Sequence, residues 1–248
     1  MINLTEKQKR VKELEDRSNE RGIFTFSDFM SPTSLYEVTS ILKGDSHTVF
    51  GGVEFAERKM IRFGNTEEFG YEEPFPITVL KLTIKGGKFA STITHRDVLG
   101  AVLNLGIERQ KLGDIFINGT FSYVIANKTV AELIKSELVR VGRNQVVVDE
   151  VDCVPSELAP VKKEMGFSVA SNRVDAILCK AYSLSREDSS SLFIKGLVSI
   201  NGKPCDSPSK PLKGGDAVTV RGFGKLIFEG EGRLSKKGKL YVTVNMFA

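Results

Sequence analysis

The sequence predicts an α+β protein made of three small domains. Its 248 residues are more than one compact domain usually contains. Segments with apolar residues at helical spacing are mixed with short segments that alternate as strands do. Prolines interrupt this pattern at positions 74 and 76 and again at 155 and 160. We therefore expect an N-terminal α/β domain over residues 1–74, a middle domain over 75–154, a linker over 155–166 and a C-terminal domain over 167–248.

The N-terminal domain is predicted to combine two helices with two short strands. A charged, weakly amphipathic helix over 2–21 ends at Gly22. Ser31-Pro32 begins a second helix, because proline suits the first helical position. Strands are expected around 48–55 and 59–64. This part of the sequence is not specific for any one function.

The middle domain has the most regular pattern of the chain. The elements expected in turn are a strand, a helix, two strands, a helix and a strand, over 77–84, 96–105, 114–118, 121–126, 129–141 and 146–151. The later of the two helices carries Val130, Ile134 and Leu138 at helical spacing. This β-α-β-β-α-β order is that of the ferredoxin-like, or RRM-like, arrangement.

The C-terminal domain is predicted to place two short helices ahead of a small sheet. Val174, Ile177 and Leu178 give the first helix one apolar stripe. Ser185, with Asp188 three residues later, is a capping signature for the second helix. Segments 226–231 and 240–246 are expected to form a terminal β-hairpin around a basic turn at 235–239.

Short polar and glycine-rich motifs run through this C-terminal domain. They are Ser171-Asn-Arg173-Val-Asp175, Ser185-Arg186, Ile194-Lys-Gly196, Asn201-Gly202-Lys203, Gly215-Asp216 and Arg221-Gly222-Phe-Gly224-Lys225. Together they resemble the α-L domain, the RNA-binding fold named for ribosomal protein S-four. Pseudouridine synthases, tyrosyl-tRNA synthetases and heat-shock protein fifteen carry the same fold.

Candidate RNA contacts follow from the polar side chains of these motifs. Arginine and lysine on rigid elements bind phosphates, serine hydroxyls reach phosphate oxygens, and glycines at 222 and 224 would let a phosphate backbone approach closely. The predicted RNA-binding residues are Arg173, Lys180, Arg186, Ser189, Lys195, Lys203, Arg221 and Lys225. A simpler interpretation stays open, in which Arg173 only pairs with Asp175 and the lysines only solvate the surface.

The charge distribution also favours a polyanionic partner. Residues 167–248 carry a net charge of +6, whereas residues 1–166 carry −2. No apolar run reaches the ~20 residues that a membrane span needs, and the start of the chain lacks a signal pattern. Three isolated cysteines fit a reducing cytoplasm and form neither a zinc site nor a disulfide framework. We expect a cytoplasmic monomer that uses no metal and no cofactor.

Catalytic motifs are not recognisable, so we predict that the chain is not an enzyme. His95-Arg96-Asp97 is similar to part of a kinase catalytic loop, but Val102 stands where that loop needs asparagine. Gly222-Phe-Gly224 lacks the third glycine of a dinucleotide site. The Arg-Leu-Asp catalytic motif of pseudouridine synthases is missing, and Arg173-Val-Asp175 belongs to the opening of the RNA-binding motifs.

The middle domain offers weaker RNA-binding candidates. It lacks the aromatic string of RNA-recognition domains, and Phe116, Phe121 and Tyr123 fit a buried core better than a base-stacking surface. Its secondary candidates for RNA contacts are Arg96, Arg109 and Lys111.

Motifs in the first two domains extend the resemblance over nearly the whole chain. They are Gly51-Gly-Val-Glu-Phe-Ala-Glu57-Arg58, His95-Arg-Asp-Val-Leu-Gly100-Ala-Val-Leu-Asn-Leu-Gly106-Ile and Gly113-Asp114-Ile. With the C-terminal motifs they are similar to the YlmH family of bacteria. The resemblance implies a non-enzymatic RNA-binding protein that binds rRNA or tRNA. It also implies work on large ribosomal subunits that still carry tRNA, in ribosome-associated quality control of stalled translation.

Two other functions stay open on the sequence. One is an RNA-modifying enzyme with a divergent site of the pseudouridine synthase type. The other is an interaction protein of cell division, whose basic face would meet an acidic protein or a membrane surface.

Overall fold

The chain folds into two compact units, Met1–Ala159 and Pro160–Ala248. The computed structural model describes residues 4–42, 47–85, 91–119, 121–234 and 238–247. The mixed α+β class is confirmed. The predicted boundary between residues 74 and 75 does not separate compact units, because the first two predicted domains pack into one.

The N-terminal part of the first unit is a three-stranded antiparallel sheet with helices packed around it. Its elements are α1 (Glu6–Arg21), β1 (Thr25–Phe26), α2 (Pro32–Thr39), β2 (His47–Phe50), β3 (Met60–Phe63) and α3 (Thr66–Phe69), with strand order β1-β3-β2. The side chains of Thr5 and Gln8 form a capping box at the start of α1. Gly22, with φ of 61°, ends this helix in the left-handed conformation that glycine adopts most easily.

The middle region contains the predicted β-α-β-β-α-β order. Its elements are β4 (Ile77–Lys85), α4 (His95–Leu103), β5 (Leu112–Asn118), β6 (Phe121–Asn127), α5 (Lys128–Glu137), β7 (Arg140–Val141) and β8 (Asn144–Val151). They form an antiparallel sheet of order β5-β6-β4-β8-β7. The helix predicted over 129–141 ends at Glu137, and Val141 belongs to β7 instead. The buried side chain of Val141 falls at the helical spacing of the apolar residues before it, although its backbone is extended.

Both faces of this five-stranded sheet are covered. On one face Leu80 and Leu82 pack with Val98 of α4 and Ile134 of α5. The opposite face carries a second core with contributions from the N-terminal part, Phe29, Met60, Val79, Tyr123, Ile125 and Val154. A shared core of this kind explains why residues 1–74 and the middle region fall within one compact unit.

The second unit has two short helices and a six-stranded antiparallel sheet. Its elements are β9 (Lys162–Val169), α6 (Val174–Ala181), α7 (Arg186–Ile194), β10 (Val198–Ile200), β11 (Lys203–Pro204), β12 (Asp216–Val220), β13 (Gly224–Leu234) and β14 (Leu240–Phe247). The strand order is β11-β10-β12-β13-β14-β9. Apolar side chains of α6 and α7, including Ile177, Leu178 and Phe193, bury against this sheet.

The predicted linker over 155–166 is wrong in its second half. Residues from Lys162 onward form β9, which pairs with β14 and places Gly166 opposite Thr243. Charged residues are common on edge strands, where they discourage pairing with another chain. The same charges are typical of linkers, which is why the sequence predicted a linker here. The predicted terminal hairpin is present as β13 and β14. Residues 235–237 of its predicted basic turn lie outside the described residues.

Candidate functional site

The predicted RNA-binding cations of the second unit lie on ordered elements. Six of them are exposed, namely Arg173, Lys180, Arg186, Lys195, Lys203 and Arg221, and Lys225 is partly exposed. Arg173 and Lys195 cap helices, Lys180 and Arg186 lie within helices, and Lys203 and Lys225 lie in strands. Hydrogen bonding orders the backbone at these positions, so the lysine and arginine side chains extend from an ordered backbone.

Two contacts join segments near the β12–β13 turn that carry several of these cations. The backbone amide of Arg221 donates to the carbonyl oxygen of Leu197 over 2.9 Å, which joins the β12–β13 turn to the residue just before β10. The rings of Tyr182 and Phe223, with centroids 5.6 Å apart, join the same turn to the end of α6. Lys180, Lys195, Arg221 and Lys225 each lie within two residues of one of these contacts. We call these four cations, with Tyr182 and Phe223, the turn surface.

The shape of the turn surface depends on the Gly-Phe-Gly sequence between β12 and β13. Gly222 and Gly224 have φ of 89° and 117°, backbone angles that residues other than glycine rarely adopt. A Cβ placed on Gly222 would have no atom of the described residues within 4 Å, so the backbone of this turn is open to solvent. A sugar–phosphate chain could therefore approach the backbone here, as the sequence predicts.

Tyr182 and Phe223 belong to the turn surface but were not among the predicted site residues. Phe223 remains 46% exposed although it is aromatic. An exposed ring flanked by glycines and cations can stack on a nucleotide base. Burial raises the pKa of Tyr182 to about 12, so its hydroxyl stays protonated at neutral pH. The sequence signal for both residues is an aromatic side chain next to predicted cations, which also fits an ordinary core.

Arg173 lies elsewhere and has a partner. Its guanidinium forms two hydrogen bonds with the carboxylate of Asp175, Nε to Oδ1 over 3.0 Å and Nη2 to Oδ2 over 2.7 Å. The amides of Val174 and Asp175, at the start of α6, donate to the carbonyl oxygens of Lys210 and Pro208. The amides at the start of α6 therefore already have acceptors. The positive charge of Arg173 is partly neutralised by Asp175.

Arg186 has acidic neighbours in its own helical turn, since it begins α7 and Glu187 and Asp188 follow it. Lys203 follows the turn at Asn201, whose side-chain amide donates to Asp216 over 2.8 Å. Arg173, Arg186 and Lys203 do not lie within two residues of the Arg221–Leu197 or Tyr182–Phe223 contact and are not part of the turn surface.

Ser189 requires a correction. The sequence predicted that its hydroxyl contacts RNA, but the residue has 0% exposure. Its Oγ donates to the carbonyl oxygen of Asp175 over 3.2 Å, which joins α7 to α6. A buried hydroxyl must find a partner inside the protein, so the role of Ser189 is structural.

The secondary candidates of the middle region differ in how available they are. Arg96 is exposed at the start of α4. Arg109 is half-buried, and its Nη1 donates to the carbonyl oxygens of Leu112 and Gly113. Lys111 pairs with Asp28 over 2.6 Å. Only Arg96 of these three has a side chain on the surface without a described partner.

The aromatic residues of the middle sheet are core residues. Tyr123 is 7% exposed, and Phe116 packs edge-to-face on Phe55 with centroids 5.3 Å apart. The ring of Phe121 lies 4.2 Å from the ammonium group of Lys81. The sheet face that RNA-recognition domains use for base stacking is therefore covered by the N-terminal part of the same unit.

Two separate motifs, one from each of the first two predicted domains, meet around one carboxylate. Oδ2 of Asp114 accepts from the backbone amides of Glu57 at 2.5 Å and Arg58 at 3.2 Å. The Arg58 guanidinium donates from Nε to the carbonyl oxygen of Leu112 over 2.9 Å. Gly51 is required here, because a Cβ would lie 2.4 Å from the carbonyl oxygen of Arg58. These motifs therefore hold the N-terminal part on the middle sheet.

Within the described ranges, His, Cys, Asp and Glu side chains form no group of three or more that could hold a metal ion. The helices of the same ranges include none that is both long and apolar enough to cross a bilayer.

The chain is similar to known proteins. Residues 71–154 match the family model described as "Putative RNA-binding domain in YlmH". The chain is 30% identical over 221 residues to the ribosome-associated protein quality control protein P2 of Bacillus subtilis strain 168, covering 88% of this chain and 85% of that protein. A solved structure of the cell division protein ylmH from Streptococcus pneumoniae is 21% identical with a TM-score of 0.46, covering 61% of this chain and 94% of that one.

Proposed function

The chain belongs to the YlmH family, and from this premise we propose that it is a non-enzymatic RNA-binding protein that acts on the ribosome in the cytoplasm. Its ligand is structured RNA, either rRNA, tRNA or both, on the large subunit. Its role is the rescue or quality control of stalled translation. The relative from Bacillus subtilis, named for ribosome-associated quality control, supports this assignment. The protein acts as a monomer.

The second unit, Pro160–Ala248, is the proposed α-L domain. It has the two short helices, the tight turn after β10 and the terminal hairpin that the resemblance implies. Its excess of positive charge suits a polyanion. The remaining unit, with the RNA-binding domain matched over residues 71–154, positions the protein or contacts a second RNA element through exposed residues such as Arg96.

The turn surface is the observation on which the proposal depends. The Arg221–Leu197 hydrogen bond and the Tyr182–Phe223 contact join segments that carry Lys180, Lys195, Arg221 and Lys225, next to one open, glycine-rich turn. Lysine and arginine on an ordered backbone bind phosphates, and the exposed ring of Phe223 offers a stacking contact. Such a surface recognises the shape and backbone of folded RNA more than a long sequence.

Filter binding to purified large ribosomal subunits at several salt concentrations tests this function. A Lys195→Ala/Arg221→Ala variant should bind at least about tenfold more weakly and lower the slope of log K against log salt by about 0.7–0.9 per lost phosphate contact. The matched control is Lys162→Ala/Lys163→Ala, which removes the same charge from exposed positions on the edge strand β9. Equal losses in both variants, or binding that does not depend on salt, would contradict the proposal.

The non-enzymatic part of the proposal has its own test. Modified nucleotides of rRNA are mapped by mass spectrometry in cells with and without the protein. We expect identical maps. A modification that disappears with the protein would assign an RNA-modifying activity instead.

A further inference from the structure

A cavity of about 420 Å³ lies in the first unit and is separate from the turn surface. Its lining contains four cations, Lys7, Arg10, Arg58 and Arg109, and two acids, Asp28 and Glu108. Cavities of ~300–1,000 Å³ are the usual size of small-molecule sites. We propose that this cavity binds a phosphorylated nucleotide, either free or at the end of an RNA chain. The inference is independent of the function proposed for the second unit.

Arg58 and Arg109, the two half-buried arginines of the lining, form their described hydrogen bonds with carbonyl oxygens. Nε and Nη2 of Arg58 donate to the carbonyl oxygens of Leu112 and Phe29 at 2.9 and 3.0 Å. Nη1 of Arg109 donates to the carbonyl oxygen of Leu112 at 2.7 Å. Carbonyl oxygens accept hydrogen bonds but carry no net charge. Among the described residues, Nη1 of Arg58 and Nε and Nη2 of Arg109 are left without a hydrogen-bond partner.

The proximity of these two guanidinium groups has an electrostatic cost. Burial, and then the positive charge of Arg109, lower the pKa of Arg58 to about 10. Burial likewise lowers the pKa of Arg109, and the negative charge of Asp114 opposes the lowering of the pKa in both groups. An anion bound between them would offset both effects, and a phosphate suits the fork of N–H donors that a guanidinium presents.

Acids near the cavity offset only part of its positive charge. Asp28 pairs with Lys111 at 2.6 Å and with Arg10 at 3.4 Å. Glu108 accepts from the neutral side-chain amide of Gln110 and keeps its negative charge. Asp114 accepts two backbone amides and attracts both Arg58 and Arg109. The cations Lys7, Arg10, Arg58, Arg109 and Lys111 outnumber these three acids, so the cavity retains an attraction for an anionic ligand.

The lining of the cavity also contains apolar residues, which narrows the ligand class. These are Val11, Leu14, Phe29 and Met30, of which Val11 and Phe29 are almost fully buried. Ser34, which also lines the cavity, accepts a hydrogen bond from Nζ of Lys7 over 2.9 Å. A ligand with a phosphate at one end and a flat, weakly polar ring at the other matches both the cations and the apolar residues. A nucleotide has this composition, whereas inorganic phosphate uses only the cations.

Calorimetric titration of the full-length protein tests the inference. The probes are inorganic phosphate, AMP, and a short single-stranded RNA with and without a 5′-phosphate. We expect AMP to bind at least about tenfold more tightly than inorganic phosphate, because its base also contacts apolar residues of the lining. The 5′-phosphorylated RNA binding more tightly than AMP and than the unphosphorylated RNA would identify an RNA end as the ligand. AMP binding more tightly than both RNAs would identify a free nucleotide.

Charge reversal inside and outside the cavity provides the matched comparison. Lys7→Glu/Arg10→Glu alters two lining residues, and Lys9→Glu/Arg17→Glu alters two exposed cations of the same helix that do not line this cavity. The lining variant should lose at least about tenfold in AMP affinity and the control less than about twofold. Equal losses in the two variants, or no binding of AMP and RNA to the unaltered protein at millimolar concentration, would overturn the proposal.

A readout that needs no variant protects the test against misfolding. The Nε–H signals of Arg58 and Arg109 in the unaltered protein should shift when AMP is added. Unchanged arginine signals in the presence of measurable AMP binding would place the ligand elsewhere and contradict the inference.

Discussion

The guanidinium of Arg173 and the carboxylate of Asp175 form a two-point ion pair on the surface of the second unit, with contacts of 3.0 and 2.7 Å. The side chain of Arg173 is nevertheless 46% exposed. Arg173 can therefore both pair with Asp175 and bind RNA, because the pair is solvated and can open toward a phosphate.

The ion pair predicts an unusual gain from removing an acid. Asp175→Asn should strengthen binding to large ribosomal subunits, because it frees Arg173 and removes one negative charge near the RNA. The slope of log K against log salt should steepen by about 0.7–0.9, equivalent to one more phosphate contact. Filter binding checks this, with Asp206→Asn, an exposed acid of the same unit, as control. Weaker binding by Asp175→Asn would mean that the pair itself is required.

Ser189 and Ser190 predict opposite results for neighbouring hydroxyls. Ser189→Ala should lower the free energy of unfolding by about 1 kcal/mol, because it removes the buried hydrogen bond to Asp175. Ser190→Ala, at an exposed position of the same helix, should change stability by less than about 0.5 kcal/mol. Urea denaturation measures both. Weaker RNA binding by a folded Ser189→Ala variant would support the RNA contact that the sequence predicted for this hydroxyl.

The turn surface predicts a strict requirement for glycine. Gly224→Ala should cost about 1–3 kcal/mol, because alanine is strained at φ of 117°. Gly100→Ala is the control, since Gly100 lies inside α4 with open space around it and is not among the glycines of positive φ. It should stabilise the protein by about 0.5–1 kcal/mol. Equal effects in the two variants would remove the argument from backbone conformation.

Two carboxylates of the first unit predict pH dependences of opposite sign. Burial raises the pKa of Asp114 above its ordinary value of 3.8. The contribution of this group to the free energy of unfolding therefore decreases as the pH rises from 3.8 through the raised pKa. Hydrogen bonds from Thr94 lower the pKa of Asp97 below 3.8, so stability is lost as the pH falls through the lowered value.

Urea unfolding of Asp114→Asn and Asp97→Asn from about pH 3 to 7 tests these signs. The stability of Asp114→Asn relative to the unaltered protein should rise with pH. That of Asp97→Asn should fall with pH, because the variant lacks the carboxylate that caps α4. Parallel stability curves for the three proteins would contradict both pKa shifts.

Local patterns in the sequence were sufficient for most of the elements. The capping serine at 185 and the apolar stripe beginning at Val174 predicted α7 and α6, because these signals act between residues a few positions apart. The β-α-β-β-α-β order was likewise predictable from apolar spacing. Element ends were less predictable, as at Val141, where an apolar residue continues the helical spacing but belongs to a strand.

The sequence alone determined the elements, the excess of cations after residue 166 and the family, because each of these is encoded in local composition, spacing and motif. Only the tertiary structure decided how the motifs are used. It buried Ser189, paired Arg173 with Asp175, joined Arg221 to Leu197 and packed Phe29 and Met60 onto the middle sheet. The physical reason is that burial and partner choice depend on which distant segments meet in space, and a linear pattern does not contain that distance.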